Sequence, residues 1–407
     1  VNTPDPLAPL VAQLYGDDVH DDSGTIQQMI DTANAEGYST ITLPAGTFKL
    51  DNALNFYGSN ITLTGQGAST ILDVNDNFNG SSANNPYGNG VALHVAATLD
   101  TNHLMIKQAV TGNTIVFDGQ AGVTAGETLF LSNGRGSTAL IEAARGGGDT
   151  GPGAFNELGP DEYVQVASVS TDANGDTVAT LTQDVMGTGD YGNVSPNGAS
   201  SQYYLNAVSI DRPAQNLTVE NFSIKFTDMN ADSAMYIFYG DHVTTQNIQV
   251  LNSSSVGGRG GIGIVGSTAC TFNNISEPNA LGLNSSRETT VENCSVQTIT
   301  LEESATDNLI EHNTITNTNN YDIRINDMAC ARNTFEYNTI YGGSQNTGAV
   351  AFAEGIYTVF SHNTVIGQYA SIWAGLSQGD VIQDNIAPLF NNCTPSDVMT
   401  VTGNSWQ

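Results

Sequence analysis

The six residues IEHNTI at 310–315 return as FEYNTI at 335–340 and as FSHNTV at 360–365. Anchoring on the asparagine extends the series to Asn221, Asn247, Asn274, Asn293, Asn313, Asn338, Asn363, Asn385 and Asn404. The intervals are 26, 27, 19, 20, 25, 25, 22 and 19 residues. Variable periods of this size exclude a duplicated globular unit and fit the coils of a solenoid whose corners differ in length. A second column of short alternating segments accompanies the first: YIFYG, GIGIVGS, ALGLNSS, ITLEES, DIRIND, VAFAEG and SIWAGL. Alternation turns one face of each strand inward and the other outward. Two strand columns joined by turns describe an all-β parallel β-helix with coils stacked about 4.8 Å apart. An asparagine at one place in every coil can bond its side-chain amide to the next, as in the ladders of stacked sheets. Asn221, Asn274 and Asn293 also sit in N-x-S/T sequons, which the ladder explains without glycosylation.

The bulk numbers agree. The chain has 407 residues, with 10 Lys+Arg against 41 Asp+Glu and a formal charge of -31. Such a surface repels phosphate backbones, which excludes nucleic acid as a partner. It suits solubility in a salty medium, with some carboxylates holding cations. No long apolar span is present, so no membrane crossing is expected. No basic n-region or apolar h-region opens the chain, and the expectation is a secreted, extracellular protein whose signal is already absent. Cys270, Cys294, Cys330 and Cys393 match no zinc spacing. They leave open two disulfides or buried free thiols. The 43 glycines, with frequent Asn, Thr and Ser, suit many short strands and turns.

The N-terminal run GDDVHDDSGTIQQMIDTANAEGYSTITLPAGTFKL places Ser23 as N-cap before an amphipathic helix through Ile26, Met29, Ile30 and Ala33. STITLPAGTFKL and GSNITLTGQG then read as strands. A helix here would cover the open end of the solenoid. This run resembles the opening segment of pectate-lyase-like right-handed parallel β-helix proteins. That family shows G-D-G-x-x-D-D-T, an I-Q-x-A-I-D helix and an L-P-x-G-T-Y strand. GDDVHDD departs from it at the second glycine. The resemblance implies a right-handed coil. The superfamily spans polysaccharide lyases, glycoside hydrolases, epimerases, fructotransferases and phage tailspikes, and in some members a homotrimer with sites between chains. Residues 1–110 are then the cap and first coils, and 211–407 the regular coils. Residues 111–210 break the rhythm and form a β-rich insertion, with ANGD at 173–176 as a hairpin turn.

A β-helix offers a long outer face suited to an extended polymer. Aligning ITLEES, DIRIND and VAFAEG puts Thr300, Arg324 and Ala351 in one outward row and Glu302, Asn326 and Ala353 in the next. Glu303, Asp327 and Glu354 follow one residue later, and face outward only if a corner lies there. Three stacked carboxylates would then stand about 5 Å apart, the outer two about 10 Å. Crowded like charges raise one pKa, as a general acid requires, and the two separations bracket retaining and inverting glycosidases. The same oxygens could instead form a solvated polar face or a calcium cage; no cofactor is otherwise required. Arg324 is placed to hold substrate, and Trp373, in its register, to stack on a sugar. A second constellation, SAMYIFYGDH, offers Tyr236, Tyr239, Asp241 and His242 for stacking and acid–base work. Arg259 and Arg287 join Arg324 near one strand column.

Three functions remain open. A glycoside hydrolase acting through paired carboxylates is favoured by the acidic cluster. A uronate lyase or C5-epimerase would need cations beside the scissile sugar, which the three arginines allow and the overall charge opposes. A non-catalytic carbohydrate-binding or tailspike-type solenoid is the third. The partner in each case is a polysaccharide or oligosaccharide.

Overall fold

The computed structural model describes residues 5–79, 90–107, 110, 112–132, 162–185, 206–227, 233–252, 261–302, 305–317, 323–325, 330–342, 350–352, 357–367, 372–374, 378–388, 390–392 and 398–406. Parallel strands stack coil upon coil from Asp17–Asp21 to Ser405–Trp406. The architecture is the expected right-handed parallel β-helix, with three strand columns rather than two. One column runs from Thr40–Thr42 through Thr290–Glu292 and Leu309–Glu311 to the end of Val398–Thr402. The next includes Gly46–Asn52, Thr314–Asn317 and Thr339–Gly342. The third includes Val91–Ala96, Ser233–Phe238, Gly261–Val265, Ile323–Ile325 and Val350–Phe352. The repeated six letters are therefore two short strands on either side of a corner. His312, Tyr337 and His362 make that corner with left-handed backbone at φ 55°, 56° and 56°.

The inward face of every coil is apolar and closed to water, as at Phe272, Ile310, Phe335 and Phe360. At the corner, Asn313 Nδ2 donates to Asn338 Oδ1 at 3.0 Å, Asn338 to Asn363 at 2.9 Å and Asn363 to Asn385 at 3.2 Å. Each oxygen also accepts the backbone N–H of the preceding rung. This ladder lies inside the coil. The single asparagine anchor divides here. Asn221, Asn247, Asn274 and Asn293 occupy the left-handed position itself, one residue earlier, and the first three form an exposed outer ladder at 3.0 and 2.7 Å. The pairing of Glu292 with Glu311 aligns Asn293 with His312, so Cys294 takes the inner place. A second inner ladder, absent from the sequence reading, joins Asn308 to Asn333 at 2.9 Å. Cys270, Cys294 and Cys330 are buried, and burial pushes the thiol pKa of the first two up to about 12. Cys393 lies outside the described residues.

The helix Ser23–Glu36 buries Ile26, Met29, Ile30 and Ala33. Its side chains also satisfy strand-edge backbone groups. Gln27 accepts from Asn55 N–H at 2.8 Å and donates to Asn55 C=O at 3.1 Å, and Asn34 donates to Tyr57 C=O at 3.0 Å. Ser23 is the first helical residue, not the cap. Asp21 Oδ1 accepts its N–H and hydroxyl at 3.0 and 2.6 Å, because the acidic run supplies an acceptor two residues earlier. At the missing second glycine of GDDVHDD stands Asp18, with φ 64°. The turn keeps its left-handed residue, and the short polar side chain tolerates it.

Between Val91–Ala96 and Ala214–Gln215 the chain leaves the solenoid to build a six-stranded antiparallel sheet. Thr98–Met105 and Asn206–Arg212 pair as its stem, so the excursion opens ahead of residue 111. Glu162–Thr171 and Thr177–Leu181 pair around the turn that contains ANGD. Phe117, Leu129, Leu131, Val164 and Leu181 give this sheet a core of its own.

Candidate functional site

The corner leading from the third column to the first carries one row of residues in parallel bridges: Gln215, Asp241, Thr268, Arg287, Thr306 and Ala331. The residue after each of the middle four is left-handed: His242, Ala269, Glu288 and Asp307. This geometry turns a pair of side chains per coil toward one edge. The excursion folds back over that edge. Phe130 meets Tyr239 edge-on at 5.2 Å, and the Tyr163 hydroxyl donates to the Tyr239 carbonyl. Between excursion and solenoid lies a cleft of about 380 Å³, with Gln165 and Gln183 on one wall and Gln215, Asp241, His242 and Glu288 on the other.

Asp241 is held on both oxygens. His242 Nδ1 lies 2.6 Å from Oδ1, and Gln215 Nε2 donates to Oδ2 at 2.8 Å. The His242 side chain is 62% exposed while that of Asp241 is 9% exposed. A neutral imidazole donating from Nδ1 carries its lone pair on Nε2, so the pair can orient a base toward a ligand. Glu288 stands two coils further along, about 10 Å by strand spacing. The arrangement can therefore offer two carboxylates and one imidazole to a bound chain.

The flat face of the third column holds the second sequence-derived set. Register places Thr300, Arg324, Ala351 and Trp373 in one row, as expected from the apolar pairs. The row runs back through Gly282 and Gly263 to Tyr236 and His94. Gly263 is required there: a Cβ would stand 2.2 Å from Cε1 of Tyr236, whose ring lies across it. Tyr236 stacks on Phe238 at 5.4 Å. His94 is buried against Phe238, and burial depresses its pKa to about 4. Glu302 is half-buried beside Asn284. Glu303, Asp327, Glu354, Asn326 and Arg259 lie outside the described residues, as do the side chains of Arg324 and Trp373. Tyr239 serves the docking of the excursion. Glu288 escaped the sequence reading, although aligning GDHVT, STACT, SRETT and ATDNL on the corner would have paired it with His242.

A further ionisable set, Asp21, Lys49, Asp73 and Lys225, alternates in sign across adjacent coils. Lys225 bonds Asp73 at 2.8 Å and Thr227 does so at 2.9 Å. Burial, with Asp18 alongside, holds the Asp73 carboxyl above the usual range. With 2% of its side chain exposed it braces coils rather than meeting a ligand. Among the described residues no group of three or more His, Cys, Asp or Glu side chains is arranged to hold a metal ion, and no helix is long and apolar enough to cross a membrane.

A family profile described as rhamnogalacturonase A/epimerase, pectate lyase-like, matches residues 13–151. No curated protein matches. Among solved structures, the gp54 tailspike of Acinetobacter baumannii bacteriophage AP22, in complex with a capsular saccharide, superposes with TM-score 0.59 at 11% identity. It covers 98% of this chain and 70% of its own. The Pseudomonas phage phi297 tailspike gp61 gives 0.51 at 12% identity, over 94% of this chain and 57% of its own. The tailspike gp49 of Pseudomonas phage LKA1 gives 0.52 at 12%, over 94% and 70%. Identities this low speak to fold. Residues 13–151 are similar to the pectate lyase-like profile, and the fold of the chain is that of a right-handed parallel β-helix.

Proposed function

We propose that the chain is an extracellular polysaccharide-degrading enzyme, a glycoside hydrolase working through carboxylates in the cleft beneath the excursion. The observation that carries this reading is the cleft itself, which brings Asp241 and Glu288 to one edge beside polar amides suited to sugar hydroxyls. Their two-coil separation leaves room for a water between sugar and base, which favours inversion. Tyr236, Arg324 and Trp373 extend the substrate path along the third column. Glu303, Asp327 and Glu354 are proposed as carboxylates further along that path.

The test is product analysis on a panel of bacterial and plant polysaccharides. New reducing ends without ultraviolet-absorbing unsaturation are expected. Asp241→Asn and Glu288→Gln should each lower kcat by about 10²–10⁴-fold. Full activity in both variants removes the cleft as the active centre, and loss confined to amide variants of the trio moves it along the face. A second reading rests on the Asp241–His242 pair: a lyase in which His242 abstracts a proton. Unsaturated product ends would select it. Binding without any product would select a non-catalytic solenoid, and light scattering tests the homotrimer that the resemblance implies.

A further inference from the structure

The two walls of the cleft differ in chemistry. The solenoid wall carries the carboxylates of Asp241 and Glu288 and the imidazole of His242. On the excursion wall the polar side chains are all uncharged: Thr128, Tyr163, Gln165, Thr182 and Gln183. Among the described residues that line the cleft, none is a lysine or an arginine. Arg287, one coil beyond Thr268 on the corner row, is buried and ion-paired with Glu288 at 3.7 Å and Asp307 at 3.9 Å. The excursion wall is placed by its own docking. In Glu162–Thr171, Val164 and Val166 turn into the core of the excursion, so Tyr163 and Gln165 share the opposite face. Antiparallel register sets Phe130 against Tyr163 and Thr128 against Gln165. Phe130 and Tyr163 are the pair that holds Tyr239. Fastening that pair to the solenoid carries Thr128 and Gln165, one step along the same face, over the cleft. Gln165 is exposed there, whereas Gln215 on the far wall gives its amide to Asp241 at 2.8 Å.

We propose that Gln165, with Thr128 beside it, is the specificity-determining pair of the cleft and reads the hydroxyls of an uncharged sugar. The inference rests on the cleft being the glycan site, and it adds the substrate class: a neutral polysaccharide. A primary amide offers donors and an acceptor together, and a hydroxyl is both, so one amide can engage two neighbouring sugar hydroxyls. The threonine hydroxyl across the strand pair adds a third contact of the same kind. A sugar acid would meet two carboxylates here and no cation to offset them. A site built to bond a hydroxyl also rejects a unit that lacks it, because its own polar groups are then left unpaired. The excursion is thus the reading wall and the solenoid the reacting wall. A neutral substrate also disfavours the lyase reading, since neutralising a substrate carboxylate would have no purpose.

The experiment is binding of the whole chain to a printed array of bacterial and plant glycans, neutral ones such as galactomannan and acidic ones such as polygalacturonate. It is run at low salt and in about 1 M sodium chloride, where a Debye length of about 3 Å removes the influence of the overall charge. Binding to neutral glycans is expected under both conditions. Acidic glycans bound as well as neutral ones in high salt, or no binding at all, overturn the proposal. On the best neutral ligand, Gln165→Ala and Thr128→Val should each weaken binding about tenfold or more, and Gln165→Asn should recover part of the loss. Unchanged affinity in Gln165→Ala overturns the assignment; should that variant not fold, unchanged affinity in Thr128→Val overturns it alone. On a ligand that is cleaved, Gln165→Ala should raise KM and leave kcat within a few-fold, whereas Asp241→Asn lowers kcat. Neutral glycans bound but never cleaved keep this inference and remove the hydrolase reading. Cleavage of a neutral glycan with KM unmoved by Gln165→Ala does the reverse.

Discussion

Asn338 shows what one side chain does in this fold. Its Oδ1 accepts both the N–H and the Nδ2 of Asn313, and its own Nδ2 donates to Ile310 C=O and to Asn363. Asn338→Ala would strand buried donors and acceptors on two coils at once. A loss of about 2–4 kcal/mol is expected from the urea midpoint. His94 is the opposite case, a buried ring whose two nitrogens have no partner. Its folded pKa is about 4 against 6.5 in a free chain. The unfolded state therefore takes the proton first. Stability is complete above about pH 6.5 and falls as pH drops toward 4, by at most roughly 3 kcal/mol. His94→Phe should flatten that part of the profile in chemical denaturation at pH 7 and pH 4.5. A fall as steep as in the wild type would place the titrating group elsewhere.

At the scale of elements, the excursion has its own core and is fastened to the solenoid through Phe130, Tyr163 and Tyr239. Tyr163→Phe keeps the ring and removes the bond to the Tyr239 carbonyl. Amide exchange in Glu162–Thr171 should quicken by about tenfold or more, for a lost bond of about 1–3 kcal/mol. The solenoid strands should exchange as before. Equal quickening in both would mean that excursion and coils open as one unit. The cleft depends on this fastening, which explains what could and could not be read from the letters. Asp241 and His242 are neighbours in the chain, and their pairing was legible. Gln165 and Gln183 reach the same cleft only because a sheet between residues 98 and 212 folds back, and no periodicity announces that. The third column was hidden for a related reason. One left-handed residue, such as His312, splits IEHNTI into two strands, and with only Ile310 and Ile315 apolar the six letters do not betray the corner between them.

Across the whole molecule, the repeat was legible because touching coils must carry matched residues at matched places. Ile310, Phe335, Phe360 and Ile382 stack in one inward line. The cap was legible from the apolar face of the helix Ser23–Glu36, whereas the edge-closing role of Gln27 needed coordinates. Single positions near corners were misplaced by one residue, as at Asn293 and Cys294, since corner length is the quantity that varies. The ion pairs of Arg287 with Glu288 and Asp307 were beyond reach, because the second joins corners of adjacent coils.

The 25 residues from Asn313 to Tyr337 include one strand of each column: Thr314–Asn317, Ile323–Ile325 and Thr334–Glu336. Excising them joins His312 to Asn338 and leaves every remaining contact of the same kind as before. The shortened protein should still melt cooperatively in calorimetry and lose about 4.8 Å of length in small-angle scattering. Removing 24 instead leaves Tyr337 as an extra residue at the corner beside His312, and should lower the Tm relative to the 25-residue excision. Length is thus a free variable of this molecule, adjustable in whole turns like the links of a chain, while the spacing of groups along the cleft stays untouched.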